Sequence, residues 1–216
     1  MIDEQTEKRK SSFWRELPIL LGVAVLVAVL VRAFVLQTFY IPSPSMEHTL
    51  NVLDRVLVNK LVYDFREPRR GEIIVFQAPT EWQSGADGED FIKRIIGVPG
   101  DHIAYKPDSS GSGKITINDV PLDEPYIYRD ETGAQDAPAD TEFDVTVPPG
   151  RLWVMGDHRS ASGDSLEHWQ DSDKNVQEAT IPEDSIVGRA FTVFWPVNRA
   201  TWLSVPDGFK AIPDPK

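Results

Sequence analysis

The longest apolar stretch of the chain lies near its N-terminus. Residues 17–36 read LPILLGVAVLVAVLVRAFVL, twenty positions interrupted by one charge at Arg32. At the helical rise such a run spans roughly 30 Å, about the thickness of a hydrocarbon core. It has no polar face, whereas a helix in a soluble core usually carries one. The pattern predicts a transmembrane anchor helix over residues 17–37, preceded by an N-terminal tail of residues 1–16.

Two other interpretations of this run stay open, a buried core helix and a removable secretory signal. Residues 31–33 loosely resemble a small-x-small cleavage site, but the apolar run continues beyond them and is longer than a usual signal core. Basic residues before the run predict that the N-terminus stays in the cytoplasm and that residues 38–216 lie outside; they are Lys8, Arg9, Lys10 and Arg15.

Beyond the apolar run, the pattern changes to short β-type segments separated by Gly, Pro and Asp turns. They cover residues 55–58, 72–76, 91–98, 115–117, 143–147, 152–155 and 189–195. No long amphipathic helix is evident among them. The sequence therefore predicts a mostly β domain, with polar surface loops at residues 81–90, 106–113 and 129–140.

Composition excludes several function classes. The 216 residues carry a formal net charge of −12, which disfavours nucleic acid as a partner because phosphate binding needs clustered Lys and Arg. The chain has no cysteine, which excludes disulfides, thiolate metal sites and cysteine nucleophiles. His48, His102 and His168 show no metal-ligand spacing, so we expect neither a metal nor another cofactor.

A candidate nucleophile follows the apolar run, in IPSPSMEHTL at residues 41–50. Pro42 and Pro44 fix the backbone on either side of Ser43 and precede Ser45. A serine in such a turn is most often structural. A nucleophilic serine needs a base, so the candidate depends on finding one.

Two residues are candidates for the base. Asp157 and His158 in MGDHRSASGDS offer parts of a Ser-His-Asp triad, although adjacent side chains on an extended segment point to opposite faces, which leaves Asp164 or Asp101 to orient the histidine. The other candidate is Lys93 in EDFIKRIIGVPGD. Burial among apolar neighbours lowers a lysine pKa from about 10.4 by several units. From periodicity alone, a solvated pair of Lys93 and its neighbour Arg94 on an edge strand fits as well.

Five segments together resemble, in the same order, the sequence boxes of bacterial type I signal peptidases, which are Ser-Lys dyad enzymes. They are IPSPSMEHTL (41–50), DRVLVNK (54–60), RRGEIIVF (69–76), FIKRIIGVPGD (91–101) and MGDHRSASGDS (155–165). The resemblance implies a serine endopeptidase that removes signal peptides from exported preproteins, cleaving after small residues. It also implies a single-pass protein of the bacterial plasma membrane, with the bilayer and signal peptides as partners.

By this resemblance the nucleophile is Ser45 and the general base is Lys93. Ser43 would supply an oxyanion hydroxyl beside the Ser45 amide, and Ser162 would orient the lysine. Structural support falls on Asp157, Arg159 and Asp164. The chain departs from the common family pattern at three positions, with Pro44 for glycine, His158 for asparagine and Leu166 for an arginine.

The implied fold is an SH3-like or coiled β-barrel with a smaller β excursion over about residues 102–150. Phe39, Tyr40 and Met46 are candidates for an apolar surface beside the membrane, with ordinary core or interface residues as the alternative. Two competing functions stay open. A self-cleaving Ser-Lys repressor would need a DNA-binding region where this chain has its apolar run, and a membrane-anchored β-domain would bind a partner without catalysis.

Overall fold

The computed structural model describes residues 4–83, 88–108 and 113–215, with side chains from residue 16 onward apart from 30 and 33. The side chains of the basic residues in the N-terminal tail, and residues 84–87 and 109–112 of two predicted loops, lie outside this description. The chain divides into two compact units, residues 1–37 and 38–216.

The first unit consists largely of one helix, α1 (Glu4–Phe34), with Pro18 inside it. Its large apolar side chains are mostly exposed, for example Ile19 and Leu21. In the described part of the chain, no helix has the length and apolar character needed to cross a membrane. The predicted anchor over residues 17–37 is therefore not confirmed and stays a prediction.

The second unit is mostly β, which confirms the mostly β part of the predicted fold class. The strands are β1 (Leu36–Tyr40), β2 (Arg55–Asn59), β3 (Ile73–Gln77), β4 (Asp90–Gly97), β5 (His102–Tyr105), β6 (Ile115–Ile117), β7 (Val120–Pro121), β8 (Phe143–Thr146), β9 (Arg151–Met155), β10 (Ile181–Pro182), β11 (Ile186–Trp195) and β12 (Thr201–Trp202). Short helices are α2 (Val62–Phe65), α3 (Ser165–Asp171) and α4 (Val176–Ala179). All seven predicted β segments overlap strands, whereas α3 and several two- to five-residue strands were not predicted.

The strands form two sheets. The larger has the order β1-β2-β11-β3-β4-β9-β10, with β12 also paired to β11. The smaller has the order β7-β6-β5-β8 and falls within residues 102–150. In the described residues the larger order runs from β1 to β10 without closing on itself, so the barrel part of the prediction stays open.

Buried apolar side chains fill three clusters around these sheets. One cluster joins the smaller sheet to β9 and α3, and another packs on the far side of β3 and β9. The third lies against β2, β3 and β11 and includes Ile41, Met46 and Leu50. Met46 is fully buried there, so its prediction as a membrane-facing residue is wrong; a residue on the inward side of a turn packs into the core.

Candidate active site

The turn that carries Ser45 is anchored by its own apolar neighbours. Met46 and Leu50, which follow Ser45, are fully buried, and the Leu50 amide donates to the Met46 carbonyl at 2.7 Å. Ile41 is fixed by its amide, which donates to Asp54 O at 3.0 Å. Ser45 itself is only 6% exposed. The Pro-rich segment is thus a packed turn rather than a solvated one.

Lys93 approaches Ser45 from the middle of the larger sheet. It lies on β4, opposite Ile74 of β3, and is 4% exposed. Its Nζ atom is 2.7 Å from Ser45 Oγ, and Ser43 Oγ is 3.5 Å from the same Ser45 oxygen. The alternative of a solvated Lys93–Arg94 pair on an edge strand is wrong, because β4 lies between β3 and β9 and both side chains are buried.

The pKa of Lys93 is lowered from 10.5 to about 8. Burial is the largest cause, since it removes water from the ammonium form. The carboxylates of Asp164, Glu167 and Asp157 act in the opposite direction and keep the pKa from falling further. A substantial fraction of Lys93 is therefore neutral near pH 8 and able to accept a proton.

The segment after β9 passes directly against the serine turn at Gly156. A Cβ atom on Gly156 would lie 2.4 Å from Ser45 O and 2.3 Å from Ser162 Oγ, so only glycine fits. His158, two residues further on, holds this contact, because its amide donates to Ser45 O at 3.1 Å. The final sequence box is thus brought onto the serine turn by backbone contact.

Asp157 is engaged with an arginine rather than with a histidine. Arg94 donates to both of its carboxylate oxygens, at 2.8 and 2.5 Å, and both side chains are buried. The Arg94 guanidinium also lies 4.1 Å from the centre of the Tyr126 ring, and Thr49 Oγ1 donates to Asp157 Oδ2. Such a fully paired buried ion pair fixes geometry more than it adds stability.

Arg159 forms a second buried ion pair, to Glu124 at 2.5 Å. Its Nε donates to Gly156 O at 3.0 Å, so it also holds the contact segment. Glu124 accepts a further hydrogen bond from Tyr126 at 2.8 Å. Sequence analysis missed Arg94, Glu124 and Gly156, because the pairs join distant segments that no local pattern connects.

The side chains of Asp164 and Ser162 differ in their hydrogen bonding. The Asp164 carboxylate accepts from the amides of Gly156 at 2.9 Å and Leu166 at 3.0 Å, and it caps α3. Leu166, the position where the resemblance led us to expect an arginine, packs into the apolar core, and Asp164 is satisfied by backbone amides. Ser162 Oγ is buried and has no hydrogen-bond partner in the described residues, so its expected bond to Lys93 is not present.

The His158 ring makes no hydrogen bond to the Ser45 hydroxyl in the described residues, so it is not placed to take the hydroxyl proton. Its Nδ1 lies 3.2 Å from Pro44 O, and its ring stacks on Tyr128 with centroids 3.8 Å apart. Of the proposed orienting carboxylates, Asp101 pairs with Arg70 at 2.5 Å. The Ser-His-Asp interpretation is therefore wrong for this geometry, and the basic side chain within hydrogen-bond distance of Ser45 Oγ is that of Lys93. No group of residues suited to bind a metal occurs in the described ranges.

The chain matches the family model described as "Signal peptidase, peptidase S26" over residues 14–195. This chain belongs to the signal peptidase family. It is 38% identical to a probable signal peptidase I-2 of Synechocystis over 209 residues, covering 94% of this chain and 85% of that protein. It is 39% identical to the signal peptidase I of Leptolyngbya laminosa, covering 88% and 83% respectively. A crystal structure of a signal peptidase I from Enterococcus faecalis aligns at 26% identity with a TM-score of 0.41, covering 57% of this chain and 97% of that one.

Family membership confirms the resemblance stated from the five sequence boxes, and it makes the protein a peptidase. It also favours a signal peptidase over the two competing interpretations, a self-cleaving repressor and a non-catalytic binding module.

Proposed function

We propose that this protein is a membrane-attached serine endopeptidase that removes signal peptides from exported preproteins, with Ser45 as nucleophile and Lys93 as general base. The observation that carries the proposal is the 2.7 Å contact between Ser45 Oγ and Lys93 Nζ, both buried. The lowered pKa of Lys93, about 8, supports its role as a base because the neutral amine is accessible near physiological pH.

The first half of the reaction forms an acyl-enzyme. Neutral Lys93 takes the Ser45 proton while Oγ attacks the carbonyl carbon of the scissile peptide. The oxyanion receives hydrogen bonds from the Ser45 amide and the Ser43 hydroxyl. The C–N bond then breaks, and the Lys93 ammonium returns its proton to the leaving amine. The signal peptide stays attached to Ser45 as an ester.

The second half releases the signal peptide. Lys93, neutral again, takes a proton from water, whose oxygen attacks the ester carbonyl. When the intermediate collapses, the C–Oγ bond breaks and Ser45 recovers its proton from Lys93. Asp157, Arg159 and Asp164 take no proton in this scheme; their buried bonds hold the segment that packs on the serine turn. No metal or cofactor is required.

Cleavage by matched variants tests the two roles. The purified full chain in detergent is given a preprotein with an intact signal peptide, and the products are identified by mass spectrometry. Ser45→Ala and Lys93→Met should each lower the cleavage rate by at least about a thousandfold. Ser204→Ala and Lys106→Met, at exposed positions, are the controls and should cleave normally. Retained cleavage in either site variant would contradict the assignment, and a folded wild type that binds but never cleaves would favour the binding module.

Membrane attachment through residues 17–37 is a separate part of the proposal. Support comes from the exposed apolar side chains along α1, which water solvates poorly. Cell membranes containing the protein are washed with alkaline carbonate, and the full chain is compared with a variant that lacks residues 17–37. The full chain should remain in the pellet and the shortened one should move to the supernatant. Release of the full chain by carbonate would refute an inserted anchor.

A further inference from the structure

His158 contacts the serine turn through both its backbone and its ring. The backbone amide donates to Ser45 O at 3.1 Å, and ring Nδ1 lies 3.2 Å from Pro44 O. These two carbonyls belong to the peptide groups immediately before and after Cα of Ser45. One residue therefore holds both peptide planes that flank the nucleophile.

The surroundings of the ring decide where its proton lies. Pro44 O is a carbonyl, and Glu47 Oε2, 3.4 Å from the same Nδ1, belongs to a carboxylate. Both atoms only accept hydrogen bonds, so Nδ1 carries a proton and donates. The ring stacks on Tyr128, which fixes its plane. On the opposite edge of the ring, Nε2 lies 4.0 Å from the Asp136 carboxylate.

The Pro44 carbonyl and the Ser45 amide are the two ends of one planar peptide group. A donor that fixes the direction of the carbonyl also fixes the direction in which the Ser45 N–H points. It further polarises the peptide, which makes that N–H a stronger donor. Pro44 O accepts a second bond, from the Glu47 amide at 2.8 Å, so the turn and the ring share its two lone pairs.

We propose that His158 is a positioning residue that aims the Ser45 amide at the oxyanion, acting through the hydrogen bond from Nδ1 to Pro44 O. This inference rests on the proposed function, since it concerns the amide that receives charge in the transition state. An asparagine side chain places its amide nitrogen where histidine has Nδ1, so the same bond can form with asparagine at this position. The departure at His158, where the family pattern commonly has asparagine, then keeps the donor and changes only the side chain that supplies it.

Three substitutions separate the donor from the bulk and the stacking of the ring. His158→Asn keeps a donor at the Nδ1 position. His158→Phe keeps the stack on Tyr128 without a donor, and His158→Gln carries its polar group further out, at the Nε2 position. His102→Phe is the matched control, because that histidine is half exposed and pairs with Asp144 at 2.8 Å on the smaller sheet.

Steady-state cleavage by the full chain in detergent should give a distinct pattern. His158→Phe and His158→Gln should lower kcat about tenfold with KM unchanged, because the donor matters only once the oxyanion forms. His158→Asn and the His102→Phe control should stay within about twofold of wild type. If His158→Phe does not fold, the kcat of His158→Gln compared with that of His158→Asn tests the inference.

Two outcomes would overturn the inference: an Asn variant as slow as Phe, and Phe and Gln variants as fast as wild type. A loss that appears in KM rather than kcat would also count against it. Ser45→Ala is measured in parallel, so that the failure of this inference is distinguished from failure of the proposed function. Only the latter would leave cleavage intact without Ser45.

Discussion

Replacing Lys93 by methionine should abolish cleavage and stabilise the fold at neutral pH. Lys93 is 4% exposed, and its pKa is lowered from 10.5 to about 8 in the folded protein, chiefly by burial. At about 1.4 kcal/mol per pH unit, that difference means the protonated lysine costs the folded state about 3 kcal/mol. Methionine has a similar length and no charge, so it avoids this cost.

The sign of the pH dependence follows from the two pKa values. Between about pH 8 and pH 10.5 the unfolded chain keeps the lysine proton that the folded chain has released, so unfolding takes up a proton and stability rises with pH. The free energy of unfolding of the wild type should therefore approach that of Lys93→Met as pH increases. The difference in free energy of unfolding between Lys93→Met and wild type, called the gap below, should narrow from about 3 kcal/mol at about pH 7 to about 1 kcal/mol at about pH 9.5.

Denaturant unfolding of the full chain in detergent, at both pH values, measures this gap. The difference between variant and wild type cancels the titration of groups common to both proteins. Lys106→Met is the control, because that lysine is 80% exposed and should change stability little at either pH. A Lys93→Met variant less stable than wild type at neutral pH, or a gap independent of pH, would refute the argument that burial lowers this pKa.

Three further outcomes are expected. The cleavage rate should rise with pH to a plateau with a midpoint near the Lys93 pKa of about 8, because only the neutral amine accepts a proton; a flat profile from acidic to alkaline pH would contradict this. Asp157→Asn should lower the free energy of unfolding by about 3 kcal/mol, measured by denaturant titration, because it leaves the buried Arg94 cation without its counter-charge; a change below about 1 kcal/mol would show that the site relaxes. Gly156→Ala should reduce cleavage strongly, because its Cβ would lie 2.3 Å from Ser162 Oγ; unchanged activity would mean that the turn has room to move.

Local pattern predicted the strands well and the helices poorly. The runs that became β3 and β4 are rich in branched residues, and burial on both faces makes such runs continuous. The helix α3 was missed because it has only seven residues, too few for an apolar period to be visible. Its start was nevertheless marked, since Asp164 followed three residues later by Glu167 is a capping pattern.

The site was predictable in its residue types and less so in its contacts. The apolar neighbours of Lys93 indicated burial, and the family resemblance of the five boxes predicted Ser45 as its partner. The pairing of Arg94 with Asp157 joins positions 63 residues apart, which no periodicity reveals. Ser162 was expected to bond Lys93, yet its hydroxyl has no partner in the described residues, since the lysine amine is directed to Ser45.

The contact between the serine turn and the final box has a consequence for when the serine turn is held in place. Pro44 and His158 are separated by 114 positions, so the serine turn is synthesised long before the residue that holds it. Contacts of such high sequence separation form late, after the intervening chain has ordered. Ser45 therefore reaches its packed arrangement only when the intervening strands have folded. A copy that has not folded this far carries Ser45 and Lys93 without the two His158 contacts that hold the serine turn.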